Sequence, residues 1–394
     1  MLESNNNTVE DMLYLAACAI HDIVPNMDRL KEMNIESLYR KSRFHNVTAI
    51  VCIALESGGI LSEEKNNPEL IKKWQDVKNK VIRKNMLLDA QRQQLFQFME
   101  KRKIWYMPLK GSVLKDLYPK MGMRQMADND ILFDSKYQYE LKDYMVRQGY
   151  EAKSVGEGNH DIYKKPPIYN FEMHTSLFDV KYNKIWFEYY KNVKDRLIKD
   201  EGNSYGYHFS DEDFYIYITT HTFKHYNGGG TGLRSLLDCY VYVWKKGDAL
   251  NWEYIQAQLE KLGIASFEQK MRALSYKLFK DPRHFYETKL TKEEQEILDY
   301  LSHSGTYGTM QNRVEKKMKE LQDDKKQISF KIKWKYCMRR LFPDMEWFKQ
   351  HNTFCYQHKW IIPFFYIYRV VRSLCLRGKK VKKELEIVLS SDEK

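Results

Sequence analysis

Three acidic residues lie in apolar surroundings in the first half of the chain. Asp128 and Asp130 lie on a predicted strand that continues as Ile-Leu-Phe, and Glu172 stands between a phenylalanine and a methionine. Side chains two residues apart on a strand point to the same face. Neighbouring carboxylates repel unless a cation lies between them, and hard divalent cations prefer oxygen ligands. The pattern therefore predicts a divalent-metal site that is suited to phosphoryl transfer.

Candidate phosphate-binding groups precede the acidic pair. Gly111 and Ser112 lie at a predicted strand-to-helix turn, where backbone N–H groups and a hydroxyl favour an anion. Lys110 and Arg124 add positive charge, and an arginine can bind phosphate through two nitrogens. The chain contains no GxxxxGK(S/T), HExxH or GxSxG motif, so the common alternative sites lack support.

A small α/β unit is expected to position these groups. Residues 104–109 read as an apolar strand, and residues 136–148 as an amphipathic helix that a glycine closes. Residues 161–175 are predicted to form a hairpin around a Lys-Pro-Pro turn. Its second arm places Glu172 and His174 on one face and apolar side chains on the other. We therefore predict that His174 contacts the nucleotide or the acceptor, with a hydrogen bond to a backbone carbonyl as the alternative.

Helical patterns surround this unit. Residues 8–103 and 211–327 carry apolar residues at helical spacing. In the second region two histidines and Lys224 share one helix face, and Lys224 is predicted to contact phosphate. The glycine-rich segment 227–232 could approach a phosphate closely, but a joint between two helices is the favoured interpretation.

The C-terminal region is basic and aromatic. Residues 331–342 are rich in Lys, Arg and aromatic residues, 360–372 are strongly apolar with interspersed arginines, and 378–383 form a basic cluster. A basic amphipathic stretch can lie on a membrane surface, so peripheral membrane contact through residues 331–383 is one expectation. The favoured expectation is that the apolar residues pack on the protein's own core and that the arginines face solvent.

Composition limits the remaining possibilities. The 394 residues are 43% apolar and 30% charged, as is typical of a folded globular chain. A net charge of +12 favours anionic partners such as nucleotides, although no motif supports nucleic-acid binding. The six cysteines show no CxxC pair and no zinc spacing, and they are predicted to be reduced thiols of a cytoplasmic protein. The sequence has no apolar run of about 18 residues, the length needed to span a membrane.

The glycine turn and the acidic residues together resemble a known family. The order Leu-Lys-Gly-Ser, Tyr-Pro and Arg-x-x-x-Asp-x-Asp-Ile-Leu over residues 109–132 resembles the DNA polymerase β-type nucleotidyltransferase superfamily. Within it, the order most resembles the "uncharacterised nucleotidyltransferase" family of bacterial proteins. The resemblance is tight over residues 105–175 and loose over residues 40–375. It implies a nucleoside triphosphate (NTP) substrate and Mg²⁺ as the cofactor, with Mn²⁺ as the alternative.

The resemblance also implies roles for individual residues. Gly111 and Ser112 match the phosphate-holding turn of the superfamily, and the three acids match its metal ligands. Further matches are His174, His221, Lys224, His225, Arg234 and Asp238. Asn129 departs from the pattern, because an apolar residue usually separates the two aspartates. The alternative is structural: the aspartates could cap a turn, and Glu172 could pair with Arg124.

The expected fold is α+β, with a small mixed-sheet nucleotidyltransferase core flanked by N-terminal helices and a C-terminal helical domain. The predicted division is a helical region 1–103, the core 104–205, a helical domain 206–330 and the basic aromatic tail 331–394. The predicted activity transfers a nucleoside monophosphate from an NTP to an acceptor hydroxyl on a small molecule, a protein or RNA. The alternative is a catalytically inactive binding protein of this fold, associated with a membrane or a biosynthetic complex. The nucleotide, the acceptor and the oligomeric state stay open.

Overall fold

The computed structural model, which describes residues 2–62, 67–306, 308–321, 330–345, 347–348 and 352–390, contains a five-stranded mixed sheet. Its strands are β1 (Tyr106–Pro108), β2 (Asn129–Phe133), β3 (Glu151–Ser154), β4 (His160–Lys165) and β5 (Tyr169–His174). They lie in the order β1-β2-β5-β4-β3. β2 and β5 are parallel, and the other neighbouring pairs are antiparallel. The parallel pair positions the candidate site.

Helices precede, interrupt and follow the sheet. Before the sheet come α1 (Leu2–Ile20), α2 (Met27–Glu32), α3 (Ile35–Phe44), α4 (Thr48–Ser57) and α5 (Pro68–Arg102). Between its strands lie α6 (Gly111–Leu114) and α7 (Gln138–Arg147). After it come α8 (Lys184–Tyr190), the short strands β6 (Ile198–Lys199) and β7 (Tyr207–His208), and then α9 (Asp211–Asn227), α10 (Arg234–Lys246), α11 (Trp252–Lys261), α12 (Ala265–Phe279) and α13 (Lys292–Ser304).

Local sequence signals define the ends of the long helix α5. The Asn67 side chain accepts a hydrogen bond from the Glu69 N–H, and Pro68 takes the first helical position, where its missing N–H has no cost. The helix ends at Arg102, and the next residue, Lys103, has a left-handed backbone with a φ of +58°. Along its 35 residues it packs on α4 and also on the sheet. α5 therefore joins the N-terminal helices to the strands that carry the site.

The two faces of the sheet pack on different helices. One face buries Ile131 and Met173 with side chains of α5 and α7. The other buries Met107 and Leu132 with side chains of α8, α9 and α11. Because successive side chains of a strand alternate, Asp130 shares the second face with Leu132. The acidic residues thus point towards the helices that follow the sheet.

The chain forms two compact units, one of residues 1–223 and 233–302, the other of residues 224–232 and 303–394. The second unit contains α14 (Met310–Lys319), α15 (Phe330–Leu341), α16 (Thr353–Gln357) and α17 (Ile362–Ser390). α17 packs on α14 and α15. Within the described ranges, no helix combines the length and the apolar character that crossing a membrane would need. The four-part division drawn from composition stays a prediction.

The glycine-rich segment joins helices, as the favoured interpretation proposed. A Cβ at Gly230 would lie 2.1 Å from Ser304 Oγ, and one at Gly232 would lie 2.9 Å from the Thr306 backbone nitrogen. The Gly229 carbonyl accepts a hydrogen bond from the Thr309 N–H. The glycines therefore allow the backbone of residues 228–232 to pack closely on residues 304–306 and 308–309.

The predicted α+β fold is confirmed, as are the strand at 104–109, the helix at 136–148 and the hairpin at 161–175. The stretch 250–280 forms two helices, because Gly263 with φ +71° separates α11 from α12. β3 was not predicted, since its sequence Glu-Ala-Lys-Ser is polar and its pairing contains a bulge.

The expectation that the apolar tail packs on the protein's own core is only partly correct. Phe365 and Tyr366 pack on Phe348 in a small core of the second unit. Phe364 and Ile367, in contrast, are 65% and 64% exposed. The difference arises because, among the described residues of the second unit, α17 packs through one side, on α14, α15 and the side chains of Trp347, Phe348, Cys355 and Tyr356.

Candidate functional site

Parallel pairing of β2 and β5 brings the acidic residues together. Asp130 pairs with Glu172, and Leu132 pairs with His174, in the register of the two strands. The alternation of side chains directs all four to the same face of the sheet. Ligand atoms of Asp130, Glu172 and His174 lie within 4.8 Å of one another. The cluster is thus built on a buried part of the sheet.

Lys110 supplies an internal cation to this cluster. Its Nζ lies 2.7 Å from Asp130 Oδ1, and His174 Nε2 lies 3.0 Å from the same oxygen. The Lys110 backbone has φ +48°, a conformation that costs a non-glycine residue on the order of 1–3 kcal/mol. The Leu109 N–H donates to the Asp130 carbonyl at 2.9 Å and fixes the start of this turn. The strained turn therefore holds Lys110 against Asp130.

Burial and neighbouring charges shift the ionisation of these groups in different directions. Burial alone would raise the pKa of Asp130, but the Lys110 ammonium and the His174 imidazole hold that pKa well below its usual range. Burial, Asp130 and Asp128 raise the pKa of Glu172 to about 8. Burial and Lys110 lower the pKa of His174 to about 4, so at pH 7 a neutral imidazole contacts Asp130. Asp130 is therefore ionised at pH 7, whereas Glu172 is largely protonated unless a cation binds beside it.

Asp128 lies just before β2, so its predicted place on the strand is wrong. The Asn85 side chain bonds to the Arg124 carbonyl and the Met126 N–H, and Lys84 Nζ donates to the Ala127 carbonyl at 2.9 Å. These contacts hold the segment before Asp128 on α5 and keep it out of the sheet. Burial and the charge of Asp130 raise the pKa of Asp128 to about 6. Asp128 is thus electrostatically part of the cluster, and its metal-binding role stays a prediction.

Gly111 and Ser112 form the first residues of α6. The Ser112 hydroxyl donates to the Leu109 carbonyl at 2.6 Å and closes the turn. A Cβ at Gly111 would lie 2.4 Å from Arg124 Nη1 and 2.9 Å from Met126 Sδ. Gly111 therefore allows the loop before β2 to pack on the turn. The predicted phosphate contacts of both residues stay predictions.

Arg124 forms a buried ion pair with Asp238, a residue of α10. Its Nε and Nη2 lie 2.7 Å and 2.9 Å from the two carboxylate oxygens, and the Tyr118 hydroxyl donates to Asp238 at 2.8 Å. The structural alternative expected Arg124 to pair with Glu172. That expectation is wrong, because Arg124 pairs with Asp238. The ion pair ties the loop before β2 to α10, and phosphate binding by Arg124 stays a prediction.

Asn129 has a structural role that the sequence did not reveal. Its side chain is fully buried, accepts a hydrogen bond from Arg92 Nη1 at 2.9 Å and donates to the Leu88 carbonyl at 3.0 Å. Both partners belong to α5. The departure from the usual apolar residue is thus compensated by two hydrogen bonds that fix β2 on α5.

Two further residues near the cluster were missed by sequence reasoning. His160 Nε2 lies 3.9 Å from Glu172 Oε2, and its ring lies 5.0 Å from that of His174. Tyr217, on α9, is fully buried, and its hydroxyl has no hydrogen-bond partner among the described residues. The charges of Lys110, Asp130 and Glu172 all act on this phenol. His160 lies opposite His174 in the hairpin, so only the alternation of side chains along the two hairpin strands could have indicated it. No local sequence pattern indicated Tyr217.

A comparison with known protein families matches residues 31–280 to the family described as uncharacterised nucleotidyltransferase. The match covers well over half of the chain. The chain belongs to this nucleotidyltransferase family. Neither the curated proteins nor the solved structures gave a match. The region matched to the nucleotidyltransferase family contains the sheet and the clustered residues from Lys110 to Asp238.

The clustered donors fit a divalent cation. Asp130 and Glu172 offer carboxylate oxygens, and His174 adds a nitrogen that the predicted ligand set did not include. Oxygen donors suit Mg²⁺, and a mixed oxygen and nitrogen set also suits Mn²⁺. Lys224 belongs to the second compact unit, and its phosphate contact stays a prediction.

Proposed function

We propose that the protein is a divalent-metal-dependent nucleotidyltransferase, which transfers a nucleoside monophosphate from an NTP to an acceptor hydroxyl. The observation that carries this proposal is the side-by-side placement of Asp130 and Glu172 on parallel strands. Lys110 and His174 contact the same Asp130 oxygen. Membership of a nucleotidyltransferase family supports the same class of reaction.

Asp128, Asp130 and Glu172 would hold the cation, with His174 as an additional donor. Bound Mg²⁺, or Mn²⁺ as the alternative, would neutralise charge on the triphosphate and activate the acceptor oxygen. Ionised Asp130 is ready to bind a cation at neutral pH, whereas Glu172 must first lose its proton.

The chain's own residues would act on both ends of the transfer. The acceptor oxygen forms a bond to the α-phosphorus while the bond from that phosphorus to the pyrophosphate breaks. Ionised Glu172 accepts the proton of the acceptor hydroxyl. When the NTP binds, the Lys110 ammonium leaves Asp130, contacts the phosphates of the NTP and stabilises the leaving pyrophosphate. The turn at Gly111 and Ser112 contributes N–H donors to the same phosphates.

Release of pyrophosphate from ATP, GTP, CTP and UTP, with Mg²⁺ or Mn²⁺, tests the proposal. The double variant Asp128→Ala, Asp130→Ala is expected to lose about 100-fold or more in rate, because two of three carboxylates are removed. The control Asp116→Asn changes a carboxylate that is 68% exposed and should keep the wild-type rate. Unchanged turnover in the double variant would contradict the proposal. Labelled nucleotides with candidate acceptors, analysed by mass spectrometry, would identify the product.

The alternative is a non-catalytic binding protein of the same fold. The Lys110–Asp130 ion pair favours it, because an internal cation already neutralises the central carboxylate. Calorimetry with the four NTPs and Mg²⁺ distinguishes the two proposals. A chain that binds none of the four nucleotides would favour the alternative.

A further inference from the structure

The C-terminal helix α17 presents an uncovered apolar surface. Its inner side is held in the second unit by Glu384, which accepts hydrogen bonds from Tyr336 and Arg340, and by buried Val388. On another side, six apolar residues are between 54% and 72% exposed: Trp360, Phe364, Ile367, Tyr368, Val371 and Leu374. We name these six residues the apolar stripe.

The apolar stripe follows one face of the helix. Phe364, Ile367, Val371 and Leu374 recur at intervals of three and four residues, and Trp360 lies in the short 3₁₀ turn just before α17. At 1.5 Å per residue, the stripe is about 21 Å long. A contiguous exposed apolar surface of this kind marks an interaction site, in contrast to single exposed apolar residues.

Positive charge accompanies the apolar stripe. α17 contains seven Lys or Arg residues and two Glu residues, a net charge of +5. Arg372, Lys379, Lys382 and Lys383 are exposed. The Arg372 guanidinium lies 5.9 Å from the centre of the Tyr368 ring at the edge of the stripe. Long basic side chains can lie along an apolar surface and extend their charges beyond it.

We propose that the apolar stripe and these basic residues bind the surface of an anionic lipid bilayer, with α17 lying in the plane of the interface. Charge complementarity selects this partner, because a second copy of the chain would bring like charges together. Aromatic and aliphatic residues on one face with Lys and Arg beside them are typical of helices that lie in such interfaces. The proposal does not depend on nucleotidyl transfer.

Co-sedimentation of the full chain with vesicles tests the proposal. The wild-type chain is expected to bind phosphatidylcholine–phosphatidylglycerol vesicles at least about tenfold more tightly than pure phosphatidylcholine vesicles, and less tightly at high salt. The variant F364S/I367S/V371S should lose at least about tenfold in affinity for the anionic vesicles. The matched control V146S/V180S/I185S replaces three exposed apolar residues of the first unit and should bind like the wild type.

A second measurement reports where the helix lies. Of the six cysteines, Cys375 is the exposed one, and it follows the apolar stripe directly. An environment-sensitive dye on Cys375 should shift to shorter wavelength with anionic vesicles and stay unchanged with neutral ones. The proposal is overturned if the wild type ignores anionic vesicles, or if F364S/I367S/V371S binds them as well as the wild type does. A dimer in light scattering that the same variant converts to monomer would assign the stripe to a second copy and would also overturn it.

Discussion

At the residue scale, the chemistry of the site depends on which cation contacts Asp130. Lys110 Nζ lies 2.7 Å from Asp130 Oδ1, and the backbone strain at Lys110 shows that the surrounding turn enforces this contact. A divalent cation bound by Asp130 would compete with this ammonium, since both need the same negative charge. Lys110 therefore both organises the cluster and opposes metal binding.

Replacing Lys110 with Met is expected to destabilise the metal-free protein by about 3 kcal/mol, because Asp130 stays buried without its cation. Mn²⁺ should then raise the melting temperature of the variant more than that of the wild type, since it restores the missing charge. Thermal unfolding with and without Mn²⁺ measures both effects. The control Lys136→Met removes an exposed ammonium and should respond to Mn²⁺ like the wild type. An equal response of all three proteins would show that Lys110 does not oppose the metal.

Glu172 predicts a pH dependence of stability. Its pKa rises from the ordinary 4.5 to about 8 on folding, so its contribution is complete below pH 4.5 and is lost as the pH rises towards 8. His174 and Asp128, with pKa values of about 4 and about 6, titrate mostly below pH 7. With a chelator present, the free energy of unfolding should fall between about pH 7 and 8, by at most about 1.4 kcal/mol per unit.

Urea unfolding of the wild type and of Glu172→Gln at the two ends of this range measures the effect. The variant cannot ionise at this position and should show a smaller fall. Parallel pH profiles for the two proteins would assign the dependence to other groups.

At the element scale, α5 decides where β2 begins. Asn85 and Lys84 hold the backbone of residues 124–127, and Arg92 and the Leu88 carbonyl hold Asn129. α5 thus contacts both the segment that precedes β2 and Asn129, the first residue of β2. The position of Asp130 on the sheet depends on this long-range contact as well as on the pairing of β2 with β5.

A double-mutant cycle on Asn129 and Arg92 tests this anchoring. Asn129→Leu should cost about 1–3 kcal/mol in the free energy of unfolding, because the buried Arg92 guanidinium loses an acceptor. Combining it with Arg92→Met should cost clearly less than the sum of the single changes, with a coupling of about 1 kcal/mol. Chemical unfolding of the four proteins provides the measurement. Strictly additive costs would show that the two side chains do not support each other.

At the scale of the whole molecule, the cysteines of the two compact units differ in their exposure to solvent. Cys18 and Cys52 are buried in the N-terminal helices, and burial raises their pKa values to about 11 and about 12. Burial likewise raises the pKa of Cys239 to about 11. Such thiols are weakly ionised at neutral pH and react slowly. Cys375, in the second unit, is exposed.

A thiol titration should therefore give one fast-reacting cysteine per folded chain at about pH 8, and six after denaturation. Cys375→Ser should remove the fast phase and leave the slow ones unchanged. Two or more fast thiols in the folded chain would mean that a buried or half-buried cysteine reacts as readily as Cys375 does. Stopped-flow absorbance with a chromogenic disulfide provides the measurement.

Local patterns in the sequence were sufficient for most of the elements, although not for β3, and for the main acidic residues. The alternation of apolar and polar residues in the second hairpin arm placed Glu172 and His174 on one face, and the pairing of these two residues with Asp130 and Leu132 of β2 agrees. Gly149, which has a φ of +82°, marked the end of α7. These signals are short-range, because they depend on backbone preferences and on the period of side chains along one element.

Only the tertiary structure decided which residues meet. The partner of Arg124 is Asp238, more than a hundred residues later, and Asn129 bonds to α5. The register of β2 and β5 set Asp130 beside Glu172. Lys110 was expected to bind phosphate, but the turn in which it lies places its ammonium against Asp130. These contacts could not be predicted from the spacing of residues along the chain. Strand register and ion pairing depend on burial and on how segments that are distant in sequence pack together.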